Sequence, residues 1–379
     1  MKISADWLAN PATQTVCAML TDAGHQALLV GGCVRNAMLH APVTDIDIAT
    51  DATPDRVVAL ALAAGLKPVP TGIDHGTITV VAGGKPHEVT TFRRDVETDG
   101  RHATVAFSSD VAEDAARRDF TMNALYARPD GTVVDPLNGL PDLRARHVRF
   151  VGDPDRRIAE DYLRILRFFR FTAWYGDPAL GIDPDGLAAC AAGIDGLHTL
   201  SKERVGAEIR KLLSAAAPAP AVASMAASGI LTAILPGADP RALAPLIHLE
   251  LDADPDWLRR LAALGGEDPT EILRLSRAES RDLAALRAAL GSTDTPRVLG
   301  WRLGAARGAD AVLLRACLLE QPIPATAMPD VAQGATARFP VTAADLPHLS
   351  GPALGAELKR LQSAWLASDL RLTRSQLLA

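Results

Sequence analysis

The residues best suited to chemistry lie between 27 and 50, where a glycine pair precedes two aspartates. The apolar run from Ala27 to Val30 predicts a strand that stops at Gly31-Gly32, where missing Cβ atoms let the backbone approach a ligand. A short helical pattern follows, and the free N–H groups at a helix start can bind an anion. The turn is therefore a candidate phosphate cradle, and an ordinary tight turn is the alternative.

Two carboxylates follow this turn in the stretch TDIDIAT. Strict alternation predicts that Asp45 and Asp47 share one face of a strand, where they repel each other unless a cation lies between them. Carboxylate oxygens suit Mg²⁺ that is bound together with substrate phosphates. Glu88, on the return strand of a hairpin predicted over 77–92, is a candidate third carboxylate or an exposed surface residue. The turn and the aspartates together indicate phosphoryl or nucleotidyl transfer.

The composition indicates a large, mostly helical protein. The chain has 379 residues, 48% of them hydrophobic but only 4% aromatic, which predicts two or more domains rich in alanine and leucine. No run reaches membrane-spanning length, and the start of the chain does not resemble a signal peptide. The cysteines are scattered without metal-ligand or disulfide-framework spacing, which predicts a cytoplasmic protein with no disulfide-linked partner: Cys17, Cys33, Cys190 and Cys317.

The charge is unevenly distributed. A formal net charge of −6 argues mildly against nucleic-acid binding by the whole surface. Between 144 and 170, however, eight arginines face four acidic residues. Such a basic strip can hold a phosphate backbone, or it can be a helix face laced with ion pairs.

Local patterns predict the elements around these residues. We expect a leading helix over 5–24, a helix over 53–64, a charged lid or disordered segment over 93–110, and a last strand over 132–134. Helical spacing over 113–127 predicts that Phe120, Met122 and Leu125 are buried.

A strong amphipathic pattern begins after Asp153 and reads DRRIAEDYLRILRFFRF. As one helix, it would place Arg157, Asp161 and Arg164 in a single polar stripe. Only helical patterns follow, over 201–213, 222–234, 255–264, 270–290, 296–304, 310–320 and 353–367.

Several motifs in order give the chain a family resemblance. VGGCVRNAML with DIDIAT resembles the nucleotidyltransferase head of the DNA polymerase β superfamily. HEVTTFRRDVETDGRH, RRDFTMNALY, DPLNGLPDL, EDYLRILRFFRF and LSKERVGAEI are similar to motifs of the class II tRNA nucleotidyltransferases and their bacterial poly(A) polymerase relatives. The resemblance covers about residues 25 to 215.

The resemblance implies an α+β fold in three parts. The first, 1–150, would be a nucleotidyltransferase head with a small mixed or antiparallel sheet. A helical neck over 151–215 would carry the base-selecting element. An all-helical body and tail over 216–379 would bind tRNA.

The resemblance also implies roles for individual residues. Asp45 and Asp47 would hold Mg²⁺ at a two-metal site, with Glu88 beside them as a catalytic carboxylate. The residues implied in nucleotide binding are Gly31, Gly32 and Arg35 for the triphosphate, Arg118, Asp119 and Asn123 for sugar and phosphates, Glu160, Asp161 and Arg164 for the base, and Arg167.

A carboxylate beside a guanidinium would suit base selection. Cytosine and adenine both present an amino donor beside an unprotonated ring nitrogen, which complements Asp161 together with Arg164. Uracil and guanine reverse this pattern and would leave buried polar groups unpaired.

The implied activity is Mg²⁺-dependent transfer of CMP and AMP from CTP and ATP to the 3′ end of tRNA, with release of pyrophosphate. One alternative is a poly(A) polymerase, although TGIDHGTITVV lacks the GRRF-type stretch typical of those enzymes. Others are enzymes that add only CC or only A, an inactive RNA-binding protein, and a metal-dependent phosphohydrolase. Asn36 stands where the family usually has aspartate, so we expect a hydrogen bond to Arg35 in place of an ion pair.

Overall fold

The computed structural model describes residues 1–73, 76–99, 102–250 and 253–379. The chain divides into two compact units. Unit one comprises Met1–Ser201 with Ala227–Ile230, and unit two comprises Lys202–Ala226 with Leu231–Ala379. The three-part division at 150 and 215 stays a prediction.

Unit one is built on a mixed sheet. Seven strands pair in the order β3-β4-β5-β2-β1-β8-β9, in which β2 and β5 are parallel and the other neighbours are antiparallel. Two further strands, β6 and β7, pair only with each other. The strands are β1 Leu28–Val30, β2 Asp47–Thr50, β3 Lys67–Gly72, β4 Thr77–Ala82, β5 Lys85–Thr91, β6 Arg93–Asp99, β7 His102–Phe107, β8 Tyr126–Ala127 and β9 Val133–Val134.

Side-chain patterns explain the positions of these strands. In β4 the buried residues Ile78, Val80 and Ala82 alternate with half-buried ones, as expected for a strand with one face in the core. All three residues of β1 are buried, which suits its place between β2 and β8. Because β1 and β2 are neighbours, the Gly31 turn that follows β1 lies close to Asp47 at the start of β2.

Nine α-helices accompany the sheet in the described residues of unit one. They are α1 Asp6–Ala9, α2 Pro11–Thr21, α3 Gly32–Met38, α4 Pro54–Ala63, α5 Val111–Ala116, α6 Leu140–Arg144, α7 Pro154–Glu160, α8 Leu163–Tyr175 and α9 Pro184–Ala192. The helix predicted over 53–64 is confirmed as α4. The single leading helix predicted over 5–24 is wrong, because Asn10 is extended and its side chain caps α2 by accepting the Ala12 N–H.

The helix predicted over 113–127 is also wrong beyond its first turns. After α5 the chain forms a 3₁₀ turn at Thr121–Asn123 and then enters β8. The Thr121 N–H bonds to Arg149 O at 3.0 Å, and Phe120 forms a β-bridge with Phe150, so non-local pairing replaces helical bonds. The predicted burial of Phe120, Met122 and Leu125 is nevertheless confirmed.

The segment predicted as an irregular lid is a β-ribbon. Its strands β6 and β7 pair antiparallel, with Arg93 opposite Phe107 and Asp99 opposite His102. The two strands thereby pair part of their backbone groups with each other, which the loop prediction missed. Residues 100–101 of the predicted lid lie outside the described residues, and a lid function stays a prediction.

Aromatic packing joins α8 to the chain around the 3₁₀ turn. The ring centroids of Phe120 and Phe171 are 4.7 Å apart, and those of Phe150 and Phe168 are 5.3 Å apart. Because these side chains are almost fully buried, they fix the polar face of α8 relative to residues 117–123.

The secondary structure of unit two is helical in its described residues, apart from a β-bridge between Ala238 and Gly265. Its helices are α10 Lys202–Leu213, α11 Ala219–Ala227 (the last residue lies in unit one), α12 Ile230–Ile234 (from Leu231), α13 Leu243–Glu250, α14 Trp257–Leu264, α15 Pro269–Ile272, α16 Arg277–Leu290, α17 Pro296–Leu318, α18 Ala327–Thr336, α19 Gly351–Ala367 and α20 Arg374–Leu378. The mixed sheet followed by helices confirms the predicted α+β class. None of the described helices is long and apolar enough to cross a membrane.

Two helix predictions in this region need correction. The helix predicted over 222–234 is interrupted at Gly229, which has a φ of 78°, and the one over 270–290 is interrupted between α15 and α16. The two helices predicted over 296–304 and 310–320 agree with the two parts of α17, which the non-helical backbone of Gly304, at φ 78° and ψ 175°, divides. The predictions over 201–213, 255–264 and 353–367 agree with α10, α14 and α19 within two residues.

Candidate active site

The glycine turn has the geometry that its sequence predicts. Gly31 follows β1 with a φ of 68°, which favours glycine, and α3 starts at the next residue. A Cβ on Gly31 would lie 3.2 Å from Nη1 of Arg118 and 3.7 Å from the Asn123 carbonyl oxygen. The missing side chain therefore allows Arg118 to lie directly against the turn. Gly32 has no comparable constraint, since its Cβ would make only an ordinary contact with Arg35.

The paired aspartates are arranged differently from the prediction. The strand β2 begins at Asp47, and Asp45 lies in the extended segment before it, exposed and accepting a 3.0 Å hydrogen bond from Thr44. Asp47 stands opposite Glu88 on the parallel strand β5. The carboxylate adjacent to Asp47 in the sheet is thus Glu88, which the sequence offered as a candidate.

These carboxylates influence one another electrostatically. Burial, followed by the negative charge of Glu88 and then that of Asp45, raises the pKa of Asp47 to about 6, while Arg118 acts in the opposite direction. A cation near Asp47 would relieve this repulsion. The described residues contain no cluster of three or more His, Cys, Asp or Glu side chains suited to a metal. The donors present fit a hard cation that takes its remaining ligands from phosphates and water, as Mg²⁺ does.

Arg35 is held by uncharged groups. Its Nε and Nη2 donate to the Asn36 side-chain oxygen at 3.1 and 2.9 Å, its Nη1 to Asn123 Oδ1, and its Nη2 to the Tyr175 hydroxyl at 2.7 Å. The hydrogen bond predicted for Asn36 in place of an ion pair is therefore confirmed. Burial lowers the pKa of Arg35 from its ordinary value.

The neighbours Arg118 and Asp119 have different partners. The Nε of Arg118 donates to the Asp114 carboxylate at 3.3 Å and to the Tyr126 hydroxyl at 3.1 Å. The Tyr126 hydroxyl also donates to Asp114 at 2.7 Å, which completes a buried triangle. This triangle fixes the Arg118 guanidinium against the Gly31 turn, where its charge acts to lower the pKa of Asp47.

Asp119 forms a second polar centre. Its Oδ2 accepts a 2.8 Å hydrogen bond from Arg167 Nε, and its Oδ1 accepts from Asn123 Nδ2 at 2.9 Å and from the Phe120 N–H. Burial alone would raise the pKa of Asp119, but Arg167 and these hydrogen bonds outweigh it and hold the pKa below its usual value. Since Asn123 also accepts a hydrogen bond from Arg35, a continuous hydrogen-bond network runs from Arg167 through Asp119 and Asn123 to Arg35.

The predicted base-selecting stripe is interrupted. Helix α7 ends at Glu160, Asp161 is extended with φ −158° and ψ 104°, and α8 begins at Leu163. The Asp161 carboxylate accepts the Leu163 N–H at 3.1 Å, a capping bond that competes with a continuous helix. The single stripe of Arg157, Asp161 and Arg164 on one helix is therefore wrong.

Glu160 orients Arg164 in this broken segment. Arg164 Nη1 donates to Glu160 Oε2 at 2.5 Å and to the Arg157 carbonyl at 2.7 Å, and Nη2 donates to the Arg117 carbonyl at 3.2 Å. The other oxygen of Glu160 accepts from Arg157 at 2.5 Å. Arg164 is thus anchored to the backbone beside Arg118, and Glu160 serves as its counterion.

The basic strip consists largely of ion pairs in the structure. Arg149 pairs with Asp142 at 2.8 Å, Arg157 and Arg164 pair with Glu160, and Arg167 pairs with Asp119. A cavity of about 740 Å³ is lined by several of these arginines and by carboxylates. Its charged lining residues are Arg94, Glu113, Arg117, Arg149, Asp153, Arg156, Arg157, Asp183 and Asp185. This mixed lining favours the ion-pair interpretation for the strip.

Sequence reasoning missed two residues near this site. Tyr175 contacts Arg35, and Arg170 lies over the Phe171 ring at 4.6 Å, close enough for its charge to lower the pKa of Arg35. The spacing of Arg164, Arg167 and Arg170 at every third residue was an available signal for Arg170. Nothing local indicated Tyr175, because its contact spans 140 positions of the chain.

Two family matches cover the regions described above. Residues 27–149 match the family described as "Poly A polymerase head domain". Residues 180–241 match the one described as "Probable RNA and SrmB- binding site of polymerase A". These matches confirm the resemblance that the motifs indicated.

Curated relatives match over part of their length. The chain is 41% identical over 207 residues to CCA tRNA nucleotidyltransferase 1, mitochondrial, of Homo sapiens, which covers 54% of this chain and 48% of the relative. It is 40% identical over 225 residues to the CCA-adding enzyme of Levilactobacillus brevis, covering 59% and 54%. The chain thus spans about half the length of the curated relatives it matches.

A solved structure matches over nearly its whole length. The CCA-adding enzyme of Bacillus stearothermophilus, crystallised in complex with CTP, superposes with a TM-score of 0.72 at 26% identity, covering 95% of this chain and 94% of that one. The CCA-adding enzyme of Thermotoga maritima, complexed with tRNA, has a TM-score of 0.68 at 18% identity, which shows the shared fold.

Proposed function

We propose that this chain, which carries a poly A polymerase head domain, is a CCA-adding tRNA nucleotidyltransferase. It would transfer CMP and AMP from CTP and ATP to the 3′ end of tRNA in the cytoplasm. The names of the relatives support this product, and so does the CTP bound to the Bacillus stearothermophilus enzyme.

One observation carries the proposal. The Arg118 guanidinium lies against the Gly31 turn and also acts on the carboxyl group of Asp47. The same fixed cation, Arg118, thus serves both the candidate phosphate-binding turn at Gly31 and the candidate metal-binding carboxylate of Asp47. A nucleoside triphosphate needs this combination, because its phosphates must be held beside the groups that bind its metal.

Asp45 and Asp47 would hold the Mg²⁺, with Glu88 beside them. Two ions there would supply charge neutralisation for the attacking 3′-hydroxyl and the departing pyrophosphate. The chain's own part is positional: Arg35 and Arg118 would bind the phosphates, and the Gly31 turn would let them approach the backbone. These contacts do not involve the base, so this part of the site would accept any nucleotide.

Asp119 and Asn123 would act mainly by orienting arginines. Both oxygens of Asp119 are engaged, one by Arg167 and the other by Asn123 and the Phe120 N–H, and Asn123 bonds to Arg35. We therefore assign them to the positioning of Arg167 and Arg35, in addition to any contact with the sugar.

Base selection would fall to Asp161 and Arg164. The three anchors of Arg164, on Glu160 and on two backbone carbonyls, would fix the direction of its remaining N–H groups. A fixed donor next to a carboxylate would match cytosine and adenine and mismatch uracil and guanine.

Incorporation assays test this function. The protein is incubated with tRNA lacking its terminal nucleotides, Mg²⁺ and each labelled nucleoside triphosphate. We expect CMP and AMP to be incorporated, UMP and GMP to be rejected, and all transfer to stop on chelation and resume when Mg²⁺ is restored. Absence of incorporation would refute the proposal and favour an RNA-binding protein.

The matched variants are Asp47→Asn and Asp130→Asn. The first should lose at least a thousandfold in rate, because a metal carboxylate is removed. Asp130 is an exposed carboxylate of unit one paired with Lys2, and its variant should keep normal transfer. Transfer retained in Asp47→Asn would remove this residue from the metal site.

A further inference from the structure

Arg35 is a buried cation whose charge is not neutralised by its own hydrogen bonds. Its side chain is part of a residue only 6% exposed, and its acceptors are two amide oxygens and one phenol oxygen. These neutral acceptors fix the guanidinium without a directly bonded carboxylate, and the charge of Asp119 acts on it from the far side of Asn123. An anion that binds beside α3 would therefore be stabilised more strongly by Arg35 than by an arginine that is already paired with a carboxylate.

Tyr175 holds this guanidinium in two ways. Its hydroxyl accepts from Arg35 Nη2 at 2.7 Å, and Cζ of Arg35 lies 3.9 Å from the centroid of its ring. The Phe171 ring also contacts this guanidinium, since its centroid lies 5.1 Å from Arg35 Cζ. The centroids of the Phe171 and Tyr175 rings are 5.2 Å apart, so the two rings form one aromatic surface. Contact of a buried guanidinium with aromatic faces is favourable and restricts its rotation.

Tyr175 comes from the last turn of α8, and Arg35 comes from α3 after the glycine turn. The aromatic cluster that includes Phe120 and Phe171 anchors α8 in unit one. Tyr175 is therefore held in place by this cluster, and it in turn restricts the Arg35 side chain beside the Gly31 turn. Pre-ordering a long side chain lowers the entropy lost when its ligand binds.

We propose that Tyr175 is a positioning residue that holds Arg35 toward the triphosphate of the incoming nucleotide, whatever its base. The inference rests on the proposed function in that it assigns Arg35 to the triphosphate. It adds that Tyr175 is needed for tight binding of the triphosphate. This can be measured in the absence of tRNA and of nucleotidyl transfer.

Equilibrium binding without tRNA tests the inference. Calorimetric titrations use CTP, ATP, CMP and inorganic tripolyphosphate with the full chain and with Tyr175→Phe and Tyr175→Leu. We expect Kd to rise about three- to tenfold for CTP, ATP and tripolyphosphate in Tyr175→Phe, the scale of one hydrogen bond to a charged group. The rise should be larger in Tyr175→Leu, which also removes the ring, whereas Kd for CMP should change little.

Trp174→Phe is the matched control: Trp174 is 46% exposed, and the variant keeps an aromatic ring at the position whose ring centroid lies 6.5 Å from that of Tyr175. It should leave all four Kd values unchanged. Thermal unfolding of each variant identifies any loss of folding, and Tyr175→Phe retains the ring that packs on Phe171.

A second variant tests the role of neutral acceptors. Asn36→Asp would give Arg35 a carboxylate that holds it independently, so Tyr175→Phe should cost less in that background than in the original chain. A cost that is identical in both backgrounds would contradict coupling through Arg35.

Unchanged Kd for tripolyphosphate and CTP in both folded Tyr175 variants would overturn the inference, as would equal losses for CTP and CMP. Failure of the original chain to bind tripolyphosphate would overturn it as well. If tripolyphosphate binding falls as expected but no CMP or AMP is transferred to tRNA, the inference stands and the proposed function fails.

Discussion

Arg164 Nη1 lies 2.5 Å from Glu160 Oε2, across the point where α7 ends and α8 begins. The sequence placed both residues on one continuous helix, with Asp161 between them. In the structure, Glu160 is the last residue of α7 and bonds to Arg164 as an i,i+4 pair, whereas Asp161 lies in the extended link between the helices. Glu160 is therefore better explained as the residue that orients the base-reading arginine than as a base reader.

Glu160→Gln tests this orienting role. Loss of the charge should weaken the hold on Arg164, so the preference for CTP and ATP over UTP and GTP should fall by roughly tenfold, the equivalent of one charge-assisted bond. The measurement is kcat/KM for single additions of all four nucleotides. Glu357→Gln, which breaks an exposed Glu–Arg pair on α19, is the control and should keep normal selectivity. Unchanged selectivity in Glu160→Gln would contradict the assignment.

Gly31→Ala should damage nucleotide binding more than stability. A residue with a side chain at φ 68° and ψ −115° is strained by roughly 1–3 kcal/mol, and the new Cβ would press on Arg118 Nη1 at 3.2 Å. We expect KM for CTP and ATP to rise together by roughly tenfold as Arg118 is displaced.

Gly24→Ala is the matched control for this substitution. Gly24 has a φ of 84°, and a Cβ there would meet nothing within 4 Å. This variant should also lose stability in chemical denaturation, because it too places a side chain at a positive φ, and it should keep both KM values. Equal KM in both variants would show that the turn does not depend on the space beside Arg118.

Asp119→Asn should lower the free energy of unfolding by about 2 kcal/mol, because Arg167 loses its buried counterion. The folded-state pKa of Asp119 is depressed below the ordinary 3.8, so its stabilisation is fully present above about pH 4 and is lost as the pH falls toward the folded pKa. Denaturation of both proteins at pH 7 and at pH 3 measures this. The difference between them should shrink at the lower pH, and a constant difference would argue against an ionised Asp119.

Local patterns predicted the parts of the site that are set by neighbouring residues. The Gly31 turn, α4 and the hairpin of β4 and β5 follow from glycine chemistry, helix capping and strand alternation within a few positions. Asn36 likewise bonds to the adjacent Arg35, as predicted from the sequence.

The errors have non-local or competing causes. Thr121 pairs with Arg149, so the segment after α5 leaves the helix that its spacing favours. Asp161 caps α8 with its own carboxylate, although no proline or glycine marks the break. The Arg35–Tyr175 contact depends on aromatic packing that only the folded chain brings together.

The most direct test of the account is the sequence of the product. tRNA ending at the nucleotide before CCA is incubated with the protein, Mg²⁺, CTP and ATP together, and the extended 3′ ends are sequenced. In the proposed site, Arg35 and Arg118 bind the phosphates of any nucleotide, and Asp161 and Arg164 select C and A. We therefore expect CCA to be added and synthesis then to stop. Long runs of A would contradict this account in favour of a poly(A) polymerase, and CC or A alone would show a partial enzyme.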